Sequence, residues 1–330
     1  MTGTTGDGFF TPVSGVDLPR FAGIPTFMRL PHVPFDHPRF PEVDIALIGA
    51  PWDGGTTNRP GPRHGPRQLR DLSTMIRAKN GATWVAPFEL CNCADLGDVA
   101  PNPADLMDSL DRMEQFYARV KAAGVVPLTA GGDHLVTLPI LRAIARERPL
   151  GLIHFDAHSD THDRYFGTHR YTHGTPFRRA VEEGLIDPRR TVQIGIRGSI
   201  YSADDMDYPH EVGMRVIHMH DFVSLGMERT LAEVRGVIGD GPAYLSFDVD
   251  GLDPVFAPGT GTPEIGGFTT REAQELVRGL AGLDLVGGDV VEVAPPFDPS
   301  GGTALVGATF MFEILCLLAD AFARRRGAAG

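Results

Sequence analysis

The sequence predicts an α/β fold, a mostly parallel sheet with helices packed on both faces. Two observations predict it. Short, nearly continuous apolar runs alternate with longer amphipathic stretches, the pattern of strands buried on both faces by crossover helices. Several of those runs end abruptly in Asp, His and Glu. Strands of an open parallel sheet present ligand-binding groups beyond their carboxyl ends in this way.

In chain order, "VDIALIGA" (43–50), "VVPLTA" (125–130), "LGLIHF" (150–155), "TVQIGI" (191–196), "MRVIHM" (214–219), "AYLSFDV" (243–249) and "LVGGDVVEV" (285–293) read as buried strands. Helical periodicity occupies 104–122, 134–147, 222–238 and 270–280, and the chain closes on a helix with a basic end. The Pro-Gly punctuation of "NRPGPRHGPR" marks a structured loop before a further helix. No linker or repeat divides the chain. Residues 21–330 read as one domain and 1–20 as a loose arm.

The net charge of −12 argues against nucleic acid or an anionic membrane as the main partner. Asp outnumbers Glu two to one, which points to aspartates used for chemistry. No apolar run is read as approaching the ~20 residues of a membrane span. The first residues lack the basic and apolar regions of a signal peptide. Cys91, Cys93 and Cys316 lack framework spacing and read as reduced, which predicts a cytoplasmic location; "CNC" is expected to pack at a strand.

The polar clusters carry the chemistry. "GGDH" (131–134), "DAHSD" (156–160) and "DVDGLDP" (248–254) each follow a strand, and "VVEV" (290–293) ends another. Alternate residues of an extended segment share a face, which groups Asp156, His158 and Asp160, and separately Asp248 with Asp250. His134 opens a helix after a Gly-Gly turn, where its side chain can reach the same edge. A single buried Asp or His is more often a cap than a ligand. Three clusters at three strand ends instead predict two divalent cations whose four charges balance four carboxylates. An oxygen and nitrogen ligand set without thiolate favours Mn²⁺, with Ni²⁺ or Co²⁺ compatible. His154 shares the parity of these ligands but lies deeper in its strand and reads as a satisfied core histidine. Paired sites of this kind activate water against an electrophilic carbon or phosphorus.

Together, "GGDH", "DAHSD", "SFDVDGLDPVFAPGTGTPEIGG" and "VVEV" resemble the ureohydrolase family of arginase and agmatinase. The resemblance implies a three-layer α/β/α fold with an eight-stranded sheet and two Mn²⁺ ions per chain. It assigns one ion to His134, Asp156, Asp160 and Asp248, and the other to His158, Asp156, Asp248 and Asp250. Asp156 and Asp248 would bridge. It also implies that His173 in "YTHGTPF" moves protons, that Glu292 binds the guanidinium, and that Thr262 lies at the substrate pocket. His162 and His169 are rivals to His173 in the same region. The assembly implied is a homohexamer, or at least a trimer.

"FAGIPTFMRLPH", "WDGGTTNRPGPRHGPR" and "DRYFG" are most similar to the bacterial guanidino-acid hydrolases, guanidinopropionases first and guanidinobutyrases next. That implies hydrolysis of a short guanidino acid to urea and an amine, 3-guanidinopropionate ahead of 4-guanidinobutyrate, agmatine or an alkylguanidine. Asn58 and Arg59 would then border the site. The residues agree in charge: Arg164 and Arg170 in loop 161–172 suit an anionic tail, and Tyr165 could cap the pocket. Three other classes are weighed against this reading. A two-metal phosphoesterase has no use for Glu292, a one-zinc deacetylase would keep fewer carboxylates, and a non-catalytic partner subunit would show broken ligands.

Overall fold

A computed structural model describes residues 7–202 and 204–328. Within the arm predicted at 1–20, residues 1–6 lie outside the described residues. Phe10 packs into the core, and Asp7 pairs with Arg39.

One eight-stranded sheet organises the chain: β1 (Ile45–Gly49), β2 (Cys93–Asp98), β3 (Val126–Ala130), β4 (Leu150–Phe155), β5 (Ile186–Ile196), β6 (Arg215–His218), β7 (Ala243–Asp248) and β8 (Leu285–Val291). Their order is β2-β1-β3-β8-β7-β4-β5-β6, and every pairing is parallel. Alternation along each strand sends side chains to two separate cores. Ile45, Leu47, Leu245 and Phe247 meet helices Gly65–Ser73, Met219–Ile238, Thr270–Arg278 and Gly302–Ala328 on one face. Ala46, Ile48, Leu152 and Tyr244 meet Leu106–Ala122, Thr137–Ile144 and Pro176–Glu182 on the other. The result is the three-layer α/β/α architecture expected.

The seven strands read from the sequence all form. The eighth, β2, was legible only as the setting of "CNC", because "CADLGD" carries two aspartates in six residues. Asp95 is tolerated there, buried, because it accepts from the Phe27 and Gly97 amides and pairs with Arg70. A second difference is the helix Gly302–Ala328. It is long and apolar enough to cross a bilayer by composition, contrary to the reading that no run approaches that length. It is instead a core helix, with 72% of its apolar window buried. Its Glu313, which interrupts the run in sequence, is buried against Arg278 and Asn80. Gly288 and Gly307 admit it closely: a Cβ on Gly288 would lie 3.0 Å from Ile314, and one on Gly307 2.9 Å from Leu69.

Because all strands run the same way, their carboxyl ends share one edge. β3, β8, β7 and β4 are neighbours in mid-sheet, and these are the four strands that end in the polar clusters.

Candidate metal centre and substrate cavity

Register sets the site. Phe155 pairs with Phe247 and Asp248 with Val291, so Asp156, Asp248 and Glu292 emerge side by side at the sheet edge. The clusters then turn sharply. Asp160 and Glu292 both take left-handed backbone conformations, φ 52° and 65°. For residues other than glycine these cost on the order of 1–3 kcal/mol each, a strain that recurs at functional sites.

Two ligand sets result. His134 Nδ1 lies 3.0 Å from Asp156 Oδ2, 3.0 Å from Asp160 Oδ2 and 3.2 Å from Asp248 Oδ2. Yet this buried nitrogen makes no hydrogen bond. Its other ring nitrogen is committed: Nε2–H donates to Ser246 Oγ (2.8 Å), whose hydroxyl donates to Asp289 Oδ1 (2.6 Å). Nδ1 therefore faces three carboxylate oxygens, an arrangement that a cation between them relieves; without one, burial works to lower His134, but Asp156, Asp160 and Asp248 outweigh it and raise His134 well above its ordinary range. Cis donors about 2.1 Å from an octahedral ion stand ~3.0 Å apart, the spacing found here. In the second set, His158 Nδ1 lies 3.4 Å from Asp156 Oδ1 and 3.2 Å from Asp250 Oδ2. Asp156 thus offers one oxygen to each set. Asp248 Oδ2 faces the first set, while its Oδ1 accepts the Asp250 amide at 2.8 Å.

The electrostatics suit a bound cation. Burial, then repulsion from Asp250 and Asp156, pushes the Asp248 carboxyl well above the usual range. Asp250 is raised by burial and by Asp156. Burial also works to raise Asp156, but His154, His134 and His158 around it hold it well below the usual range. His154 is a satisfied core histidine, as read. It donates from Nε2 to Asp156 Oδ2 (2.7 Å) and accepts from Gln193 Nε2 at Nδ1 (3.0 Å).

Beside the ligands, Glu292 Oε1 accepts the His134 amide and faces His173 Nδ1, each at 2.9 Å. Glu292 Oε2 is buried without a partner. These groups floor a cavity of about 520 Å³. Thr262 lines it and donates to Asp250 Oδ2 at 3.2 Å. Tyr165 forms part of its wall, lying across Gly174: a Cβ there would be 2.7 Å from the tyrosine oxygen.

The arginase family model matches residues 43–317. The chain is 66% identical over 313 residues to a guanidinopropionase of Pseudomonas aeruginosa, covering 95% of this chain and 97% of that protein. It is 51% identical to a guanidinobutyrase of the same organism, covering 93% and 96%. The solved structure of a proclavaminate amidino hydrolase from Streptomyces clavuligerus superposes with a TM-score of 0.87 at 43% identity, covering 92% of this chain and 99% of that one. The chain belongs to the arginase family.

Family membership and the two buried clusters, His134, His154, Asp156 and Asp160, and Asp156, His158 and Asp250, are compatible with a binuclear metal site, and Asp248 stands beside the first of them. The tail end differs from expectation. Arg164 and Arg170 do not line the cavity; they are exposed, Arg164 pairing with Asp163 and Arg170 with Glu182. Asn58 and Arg59 do line it, but Asn58 donates to the Gly261 carbonyl (3.0 Å) and Arg59 to that of Thr260 (2.7 Å). The Arg59 guanidinium also rests over the Phe297 ring. His162 lines the wall against Tyr165 and Tyr201, and among the described residues its ring nitrogens make no hydrogen bond. His169 is outside the cavity.

Sequence reasoning missed the residues that hold the ligands. Asp289 is buried and receives Ser246, Thr137 (2.7 Å) and Tyr244 (2.9 Å). Asp133 takes the Gly55 amide at 2.7 Å, tying loop 52–57 to the site. An Asp inside an apolar strand was the available signal for Asp289.

Proposed function

We propose that the protein is a binuclear-metal amidinohydrolase that cleaves the guanidino group of a short guanidino acid, releasing urea and the amine. The observation that carries this reading is Glu292. Its unpartnered, buried Oε2 lies at the floor of the cavity beside two ligand sets, suited to a planar cation held by charge-assisted hydrogen bonds. A phosphoester substrate would find a negative group there instead. The 66% identity to a guanidinopropionase supports 3-guanidinopropionate as the preferred substrate, and the guanidinobutyrase likeness supports 4-guanidinobutyrate as second.

His134, Asp156, Asp160 and Asp248 would hold one ion, and His158, Asp156, Asp248 and Asp250 the other, with Mn²⁺ favoured by the hard ligand set. Bound there, the metals would supply an activated water for attack on the guanidinium carbon. The chain does the rest. Glu292 Oε2 orients the guanidinium while its Oε1 stays bonded to the His134 amide. Asp160 and Asp133 add negative charge near His173, and with Glu292 they outweigh the burial that lowers it, raising it to about 9. It can therefore hold the proton that the leaving amine requires. Tyr165, His162 and the free edge of Arg59 surround the space left for the tail.

The same reading makes residues 21–330 one catalytic domain and the enzyme a cytoplasmic homohexamer or trimer. Three free, buried cysteines support a reducing compartment, and exposed Val16, Phe21 and Ile24 offer apolar surface for association. The test of function is urea release from 3-guanidinopropionate by Mn²⁺-loaded protein, lost on chelation and regained with Mn²⁺. Phosphoester hydrolysis without urea release would overturn the reading.

A further inference from the structure

The loop before the first helix reaches across to His173 and closes on it. His173 donates its amide to the Gly55 carbonyl at 2.9 Å, and two residues on Thr57 turns both its donors to the ring. The Thr57 amide donates to His173 Nε2 at 3.1 Å, and Thr57 Oγ1 stands 2.7 Å from the same nitrogen. On the other side of the ring, Nδ1 faces Glu292 Oε1. Thr57 also lines the cavity.

The amide settles the tautomer. A backbone N–H can only donate, so in the neutral ring Nε2 accepts and the one ring proton sits on Nδ1, donated to Glu292. This contact favours the neutral ring, against the acidic groups that favour the charged one. The hydroxyl differs from the amide because its hydrogen can rotate. It donates to Nε2 while the ring is neutral, and accepts from Nε2–H once the ring is charged. A histidine that must pass between the two states needs a neighbour able to follow it.

We propose that Thr57 is the positioning residue of His173: its amide and hydroxyl hold Nε2 in place at the cavity wall, and the hydroxyl partners the ring in both protonation states. Asp133 fixes the loop in place by taking the Gly55 amide, so the loop's register does not depend on the Thr57 side chain. The inference rests on the reading of His173 as the proton carrier.

The test compares T57V, T57S and H173N in the Mn²⁺-loaded full chain, on whichever guanidino acid the wild type cleaves best. Valine keeps the shape and the amide but removes the hydroxyl. The expected result for T57V is a kcat lower by about ten- to a hundred-fold, the scale of a lost hydrogen bond to a charged group. KM and metal content should stay near wild type, and T57S should recover most of the rate. An unchanged kcat in T57V while H173N is impaired would overturn the role of Thr57 and leave that of His173 standing. T57S as slow as T57V would also overturn it, since the hydroxyl would then not be what matters. Full activity in H173N would overturn both.

Discussion

The two ends of the cavity are built from different material. At the metal end, every candidate ligand sits within a few residues of a strand terminus, all but the half-buried His158 are buried, and two have their orientation fixed by a second group. His134 is held by Ser246 and Asp289, and Asp156 by His154 and the His158 amide. At the tail end, loop 161–172 supplies Tyr165, and residues 199–202 supply the exposed Ile200 and Tyr201. Tyr201 and His162 line the cavity in ring contact with each other, and the Tyr201 amide donates to Asp205. The proposed function puts chemistry on the sheet and specificity on the loops, so substitutions at the two ends should fail in different ways.

The largest effects belong at the metal end. Asp156→Ala removes an oxygen from both ligand sets, and Asp248→Ala removes the carboxylate expected to bridge. Each is expected to abolish urea release and reduce bound metal below two per chain, measured by elemental analysis. Two metals and full activity in Asp248→Ala would break the assignment.

A smaller effect separates ligand from support. Asp289→Asn keeps the shape but alters the acceptor that holds Ser246 and, through it, His134. Loss of such an outer partner weakens metal affinity by about 10–100-fold. Mn²⁺ titration followed by thermal melting would show this as a midpoint shift at higher metal concentration. Unchanged affinity would mean that His134 is held without Asp289.

The smallest effects belong at the tail end. Tyr165→Ala is expected to leave metal content and the stability of the core intact, and to narrow the preference between three- and four-carbon guanidino acids. The readout is the ratio of their kcat/KM values. A collapse of activity on both substrates would place Tyr165 in the chemistry instead of the wall.

The same contrast explains what the sequence revealed. Strands with continuous apolar runs were legible, and so were ligands at alternate positions after them, because period and parity are local properties. β2 was hard to read because its aspartates are neutralised by Arg70, more than twenty residues away. Thr57 was invisible, and Asp289 showed only as an Asp inside an apolar strand, for a related reason: each acts through a partner distant in sequence, His173 and Ser246. Arg164 and Arg170 misled because their charge suited an anionic tail, while Asp163 and Glu182, which take them up, looked like ordinary surface residues.

The central claim is that a fixed guanidinium end is joined to a tail end that accepts a short acid. The most direct test is kcat/KM for 3-guanidinopropionate, 4-guanidinobutyrate, agmatine and arginine on one preparation loaded with Mn²⁺. A tail end that accepts a carboxylate should favour the acids by roughly ten- to a hundred-fold, the scale of one hydrogen bond to a charged group. The account predicts 3-guanidinopropionate first, 4-guanidinobutyrate second, and agmatine and arginine well behind. Agmatine ahead of both acids, or cleavage of free guanidine alone, would contradict it.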